Sequence, residues 1–188
     1  MARARSVEKQ QAILQSAVRE IADIGLGAST ARIAKGAGLA EGTIFTYFAS
    51  KDELFNELYA ALKSDVYLHI NQDFPQHAEL YARVRHIWRQ YLDWALRKPQ
   101  EQKVSVLLDL SPTISTATRK RLDEVRGSVT QTMQELGNCG AFEDLPPGFA
   151  SSAMLAMQTP VLELANRNPR QTHELIDQAF DAFWRLAQ

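Results

Sequence analysis

Residues 29–48 read STARIAKGAGLAEGTIFTYF, and the spacing within this stretch decides the fold. Ser29 or Thr30 can cap a short support helix, because a hydroxyl there accepts a backbone N–H bond that the first turn leaves unmade. Ile33 and Ala37 stand four apart and face one way, with Ala34 beside them. Gly38 supplies a tight turn, and Leu39 plugs the gap between two helices. In the second helix Ile44 and Phe48, again four apart, face the same core. A support helix, a turn with a small residue and a second helix form a helix-turn-helix, whose second helix can lie in a major groove. Gly42, Thr43, Phe45, Thr46 and Tyr47 are then turned partly or wholly outward. A pair of threonines with two aromatics is odd for a merely solvated surface. It suits a duplex, where hydroxyls bond phosphate oxygens or base edges and aromatics touch sugar or thymine methyl.

Outward from this stretch the period stays helical and no strand alternation is convincing, so the chain reads as all-α with about nine helices. A first helix spans about Ser6 to Gly25, with Ile13, Ala17 and Ile21 on its apolar face and Gly25 and Gly27 ending it. Ser50-Lys51-Asp52-Glu53 is a capping box opening a long helix that carries Leu54, Leu58, Leu62 and Val66 and stops at Pro75. Tyr81, Val84, Trp88, Tyr91 and Ala95 mark another, ending before Pro99, and a short apolar helix covers about Glu101–Leu110. Ser111-Pro112 predicts the start of a helix through Leu122, Val125, Val129, Met133 and Leu136, closed by Gly137-Asn138-Cys139-Gly140. Pro146-Pro147 and Asn168-Pro169 predict the starts of the last two helices, and Pro160 predicts a kink in the first of them.

Composition excludes several classes. Apolar residues make up 45% of the 188 and charged ones 23%, which fits neither collagen, low-complexity disorder nor a disulfide scaffold. One cysteine, Cys139, allows no intrachain disulfide, and no apolar run approaches a membrane span, so a soluble cytoplasmic protein is expected. Met1–Arg5 is basic but no apolar stretch follows, so it does not read as a secretory signal. The net charge of −1 is unevenly spread: residues 1–51 hold seven Lys/Arg against four acids, and residues 52–188 hold fourteen against eighteen. A balance of +3 against −4 hints that the first segment meets a polyanion.

The segment Ile13–Leu54 resembles the N-terminal domain of the TetR family of bacterial transcriptional regulators. The matching residues are Ile13-Leu14 with Ala17, Gly25, Ser29, Ile33-Ala34, Ala37-Gly38, Gly42-Thr43-Ile44-Phe45, Tyr47-Phe48, and Ser50-Lys51 with Leu54. The resemblance implies an N-terminal helix-turn-helix head on a C-terminal helical bundle for ligand binding and dimerisation. Residues 1–51 would form the DNA-binding domain, with the motif at 29–48 and the signature extending to about 66 through the fourth helix. Residues 52–188 would form the effector-binding and dimerisation domain. The partners implied are double-stranded operator DNA, an unidentified small-molecule effector and a second copy of the chain, with no membrane, cofactor or metal.

Roles transfer residue by residue. Ser29 would contact a phosphate at the start of the support helix, and Thr30 lies beside it. Thr43 and Tyr47 would grip phosphates, and Phe45 and Thr46 would lie nearest the base edges. Lys51 would touch a phosphate at the positive end of the fourth helix. Arg3 and Arg5 resemble a basic arm for the adjacent minor groove, and read equally as a disordered tail. Two residues depart from the family pattern: Ala40 stands where a capping Ser is common, and Glu41 where Lys is frequent. A carboxylate there repels phosphates, yet suits a helix N-terminus and can accept from a cytosine amino group.

In the second segment Trp88, Tyr91, Met133 and Met154 are candidates for an effector pocket and also read as plain core. Ala150, Ala153, Met157, Val161 and Leu164 form a small-residue stripe, and Phe180, Phe183 and Trp184 a broad apolar face. Two copies of that helix pair would make an intersubunit four-helix bundle; otherwise both faces fold into the monomer. His69, His77, His86 and His173 lack metal-ligand spacing, Cys139 lacks a partner thiol, and no catalytic residue pattern is present. The expected function is a sequence-specific DNA-binding transcriptional regulator and not an enzyme, a repressor released from its operator by effector. The rivals are an all-α small-molecule-binding protein or enzyme, and a non-specific architectural DNA binder.

Overall fold

A computed structural model describes residues 6–188, which form eleven α-helices and four short 3-10 turns with no strand among the described residues. Two compact units are built from interleaved stretches: residues 6–64 with 98–122, and residues 65–97 with 123–188.

In the first unit α1 (Val7–Ile24) starts at Ser6, whose Oγ accepts from the Lys9 N–H at 3.3 Å. It ends at Gly25, where φ of 79° needs a residue without a Cβ. α2 (Thr30–Gly36) and α3 (Glu41–Tyr47) follow, then α4 (Lys51–Asn71). The capping box forms, the Ser50 Oγ accepting from the Glu53 N–H at 3.1 Å. The Glu53 carboxylate reaches one residue further back than expected, accepting from the Ala49 N–H at 2.5 Å. α6 (Pro99–Asp109) and α7 (Thr116–Arg121) complete the unit. Ile13, Ala17 and Ile21 of α1 pack with Ile33, Ile44, Phe48, Leu54, Leu58, Val104 and Leu108 in one core. A polar cluster beside it joins α4, α6 and α7: Asp109 accepts from the Tyr59 hydroxyl at 2.6 Å, Lys63 at 3.2 Å and Arg119 at 3.2 Å.

The second unit holds the last turns of α4 with α5 (Leu80–Arg97), α8 (Asp123–Arg126), α9 (Ser128–Leu136), α10 (Phe149–Arg167) and α11 (Thr172–Trp184). Val84, Trp88, Leu92, Met154, Val161, Phe180 and Phe183 are its core. Bidentate Arg83–Glu135 ties α5 to α9, and Asp177 of α11 accepts from Arg85 and Arg89 of α5.

Several helix starts differ from the sequence reading. Ser111-Pro112 opens a turn instead of a helix, and the cap is Ser115, whose Oγ accepts from the Thr118 N–H at 3.1 Å. The expected continuous helix to Leu136 is three pieces, parted at Leu122 and at Gly127 with its φ of 55°. Pro146-Pro147 lies in a turn, and α10 begins after Gly148, a left-handed residue at φ 88°. Pro169 opens a 3-10 turn just ahead of α11. α10 continues through Pro160 to Arg167.

Candidate nucleic-acid interface

α2 is held from two sides by α1. The buried Ser16 hydroxyl donates to the Ile33 carbonyl at 2.8 Å, and Arg19 donates to the Gly36 carbonyl at 3.0 Å. Arg32 pairs with Glu20 at 2.7 Å on the outside. Nothing in a periodicity argument points to Ser16, because a serine among apolar residues interrupts the pattern it supports. Its buried hydroxyl is satisfied by a helix carbonyl, so the interruption costs little.

From α2 the chain turns at Gly38 (φ 69°), and the Leu39 N–H returns to the Ala34 carbonyl at 2.9 Å. α3 then presents two different sides. Ile44 and Phe48 are sealed in the core, whereas Glu41, Gly42, Phe45 and Thr46 are exposed, Phe45 by 48%. Thr43 is half-buried. A phenylalanine left half in water on a short helix, beside a threonine, is a surface suited to sugar and thymine methyl contact.

Ser29 is the exposed N-cap of α2 and accepts from the Arg32 N–H at 3.2 Å, which leaves its O–H free to donate outward. Thr30 is half-buried, and its hydroxyl donates to Glu41 Oε1 at 2.8 Å. Lys51 is half-buried at the first turn of α4. Its ammonium donates to the Leu26 carbonyl at 3.0 Å and lies 5.1 Å from the Phe55 ring centroid. It therefore anchors the turn after α1, with further N–H donors remaining.

Tyr47 differs from its expected outward placement. Its side chain is buried with only 8% of its surface exposed, and its hydroxyl accepts from the Ser6 N–H at 3.2 Å. Positions 44, 47 and 48 share the inner side of a helix of 3.6 residues per turn, and a tyrosine can seal its ring while its hydroxyl finds a partner. Arg3 and Arg5 lie outside the described residues.

In the second unit Trp88 is fully buried, donates its Nε1–H to the Ile176 carbonyl at 3.0 Å and stacks on Phe183. Met154 is buried, and Tyr91 and Met133 are half-buried against the same core. Of the proposed contact faces, Phe180 and Phe183 are 0% exposed, and Ala150 and Val161 are buried too, so these four are core of the single chain. Ala153, Met157 and Trp184 are half-buried. Leu164, the last residue of the expected stripe, is exposed, and on the neighbouring side of α10 Ser152, Ala156, Thr159, Pro160 and Glu163 are exposed as well. Among the described residues no cluster of three or more His, Cys, Asp or Glu could hold a metal, and no helix is long and apolar enough to cross a membrane.

Residues 13–58, from the middle of α1 into α4, match the family described as bacterial regulatory proteins, tetR family. The chain is 32% identical over 71 residues to the nucleoid occlusion factor SlmA of Pasteurella multocida, covering 38% of this chain and 36% of that one. Matches to the curated relatives thus span about a third to a half of their length. Over nearly the whole chain the fold is similar to a TetR family transcription regulator from Marinobacter aquaeolei VT8, with TM-score 0.81, 21% identity and 95% of each chain covered. It is also similar to the transcriptional regulator FadR from Bacillus subtilis in complex with stearoyl-CoA, with TM-score 0.65, 18% identity, and 95% and 97% of the chains covered.

Proposed function

We propose, from the match of residues 13–58 to the tetR family of bacterial regulatory proteins, that the chain is a sequence-specific DNA-binding transcriptional regulator acting as a repressor on a palindromic operator. One observation carries the reading: α3 buries Ile44 and Tyr47, with Phe48 sealed just past its end, while offering Phe45 and Thr46 to solvent. In the major groove Phe45 and Thr46 read base edges. Ser29, through its free O–H, Thr43 and Lys51 bind phosphates at the rim. Tyr47 acts from beneath, fixing the end of α3 against the start of α1. Thr30 reaches the duplex only through Glu41.

A second copy of the chain supplies the second half-site contact, and the exposed side of α10 is the face that would join them. A small-molecule effector within residues 52–188 regulates the head, a reading supported by the similarly folded FadR, whose structure holds stearoyl-CoA. It acts only through unequal affinity for DNA-competent and DNA-incompetent conformations. This chemistry is binding without catalysis, in the cytoplasm where the operator lies.

Fluorescence anisotropy with promoter fragments from the neighbouring genes and with random duplexes tests the reading. Specific binding tighter by about 10³ or more than random DNA is expected, with both affinities falling steeply as salt rises. Thr46→Ala and Phe45→Ala should reduce the preference without lowering the melting temperature, because both side chains are exposed. Equal affinity for every sequence would leave only a non-specific binder.

A further inference from the structure

α3 begins without a side-chain cap, since Ala40 has no acceptor. Its first residue, Glu41, is instead held from outside: Oε1 accepts from the hydroxyl of Thr30, the first residue of α2, at 2.8 Å. This bond crosses the turn and ties the starts of the two helices together. At 3.6 residues per turn Glu41, Gly42, Phe45 and Thr46 fall on one side of α3, and all four are exposed. Glu41 thus shares the side that carries Phe45 and Thr46 instead of lying on its flank.

A carboxylate only accepts, and Thr30 occupies one of its several lone-pair positions. Most major-groove edges offer it a repulsive match. Guanine presents O6 and N7, and thymine presents O4, all acceptors. Adenine sets its N7 acceptor beside the N6 amino group, whereas cytosine offers its N4 amino group alone. A glutamate among phosphates loses affinity by repulsion, and an amino group standing opposite it in the groove offsets that loss. The Thr30 bond also limits the carboxylate's rotamers, which lowers the entropy lost when that donor is met.

We propose, resting on the DNA-binding reading above, that Glu41 selects cytosine at one position of each half-site and that Thr30 is a positioning residue acting through it. The test is selection from a randomised double-stranded library by the full-length wild type, Glu41→Gln, Thr30→Val and Thr30→Ser. The wild type should enrich one sequence with a cytosine whose preference over other bases falls roughly five- to tenfold in Glu41→Gln, other positions holding. Thr30→Val should weaken the same position by less, and Thr30→Ser, which keeps the hydroxyl, should restore it. Melting curves for each variant show whether it folds, and if Thr30→Val does not, Glu41→Gln alone decides. The proposal fails, and the DNA-binding reading survives, if the wild type enriches a defined sequence that Glu41→Gln enriches unchanged. It also fails if Thr30→Val weakens all positions alike. Both readings fail together if the wild type enriches no sequence.

Discussion

Tyr47 closes the recognition helix with its ring sealed and its hydroxyl accepting from the Ser6 N–H. The spacing of Ile44 and Phe48 was enough to assign the inner side of α3, because four-residue spacing marks one ridge of a helix. The three-residue neighbour of Ile44 lies on that side as well, and giving the inner side to positions 44 and 48 alone leaves Tyr47 outward. Its two substitutions should separate. Tyr47→Phe keeps the packing and removes one hydrogen bond, costing about 0.5–1.5 kcal/mol in urea unfolding. Tyr47→Ala opens a cavity and should cost about 3–5 kcal/mol. A fall in DNA affinity for Tyr47→Ala therefore reports a damaged head, so the base-reading assignment rests on Phe45 and Thr46. If Tyr47→Ala proved as stable as the wild type, the packing described for α3 would be wrong.

At the scale of elements, helices were legible wherever apolar period and a cap agreed, as at Ser6, Ser29 and Ser50. The expected start differs from the observed one where two cap signals compete. Ser111-Pro112 has the local chemistry of a helix start, yet Ser111 is buried and its Oγ accepts from the Thr113 N–H inside a turn, leaving Ser115 to cap α7. Leu122 to Leu136 keeps a helical period across two breaks, because side-chain spacing is blind to one residue at positive φ. Gly127 is that residue, and Asn71 Nδ2 donates to the carbonyls of Val125 and Arg126 where α8 stops. Gly127→Ala gives a test of sign. Inside a continuous helix alanine would stabilise by about 1 kcal/mol. Here the positive φ should make it destabilise by about 1–2 kcal/mol, with its Cβ pressed to within 3.2 Å of Asn71 Nδ2. Thermal melts of the two proteins decide between them.

The α4–α6–α7 cluster gives a pH prediction at the same scale. Burial works to raise the Asp109 carboxyl, but Lys63, the Tyr59 hydroxyl and Arg119 outweigh it and hold the carboxyl below its ordinary range. A carboxylate lowered in the folded state binds its proton more readily when unfolded. Its contribution is therefore complete above the unfolded value of about 3.9 and is lost as pH falls through the lower folded value. Asp109→Asn should lower stability at neutral pH by about 1–3 kcal/mol and flatten that part of the acid slope. Parallel unfolding curves of variant and wild type across the acid range would contradict the assignment.

For the whole molecule, what the sequence left ambiguous was which apolar face stays free once one chain has folded. The stripe of Ala150, Ala153, Met157, Val161 and Leu164 and the face of Phe180, Phe183 and Trp184 have the size and spacing of an interface, but interface and core obey the same packing rules. Burial separates them: Phe180 and Phe183 belong to the single chain, while Leu164 of the stripe and, beside it, Ser152, Ala156, Thr159, Pro160 and Glu163 remain uncovered on α10. Ala156→Arg places a long cation on that uncovered face without touching the core. In analytical ultracentrifugation it should run as a monomer while the wild type runs as a dimer. On a palindromic operator the variant should bind at least about 10²-fold more weakly, since the second head no longer arrives at high effective concentration. On a single half-site the two should bind alike, because α3 is unaltered. Phe180→Ala is the contrasting change: it removes a ring from the core and should lose about 3–5 kcal/mol of stability whatever the oligomeric state. A dimer that survives Ala156→Arg with full operator affinity would move the interface off α10.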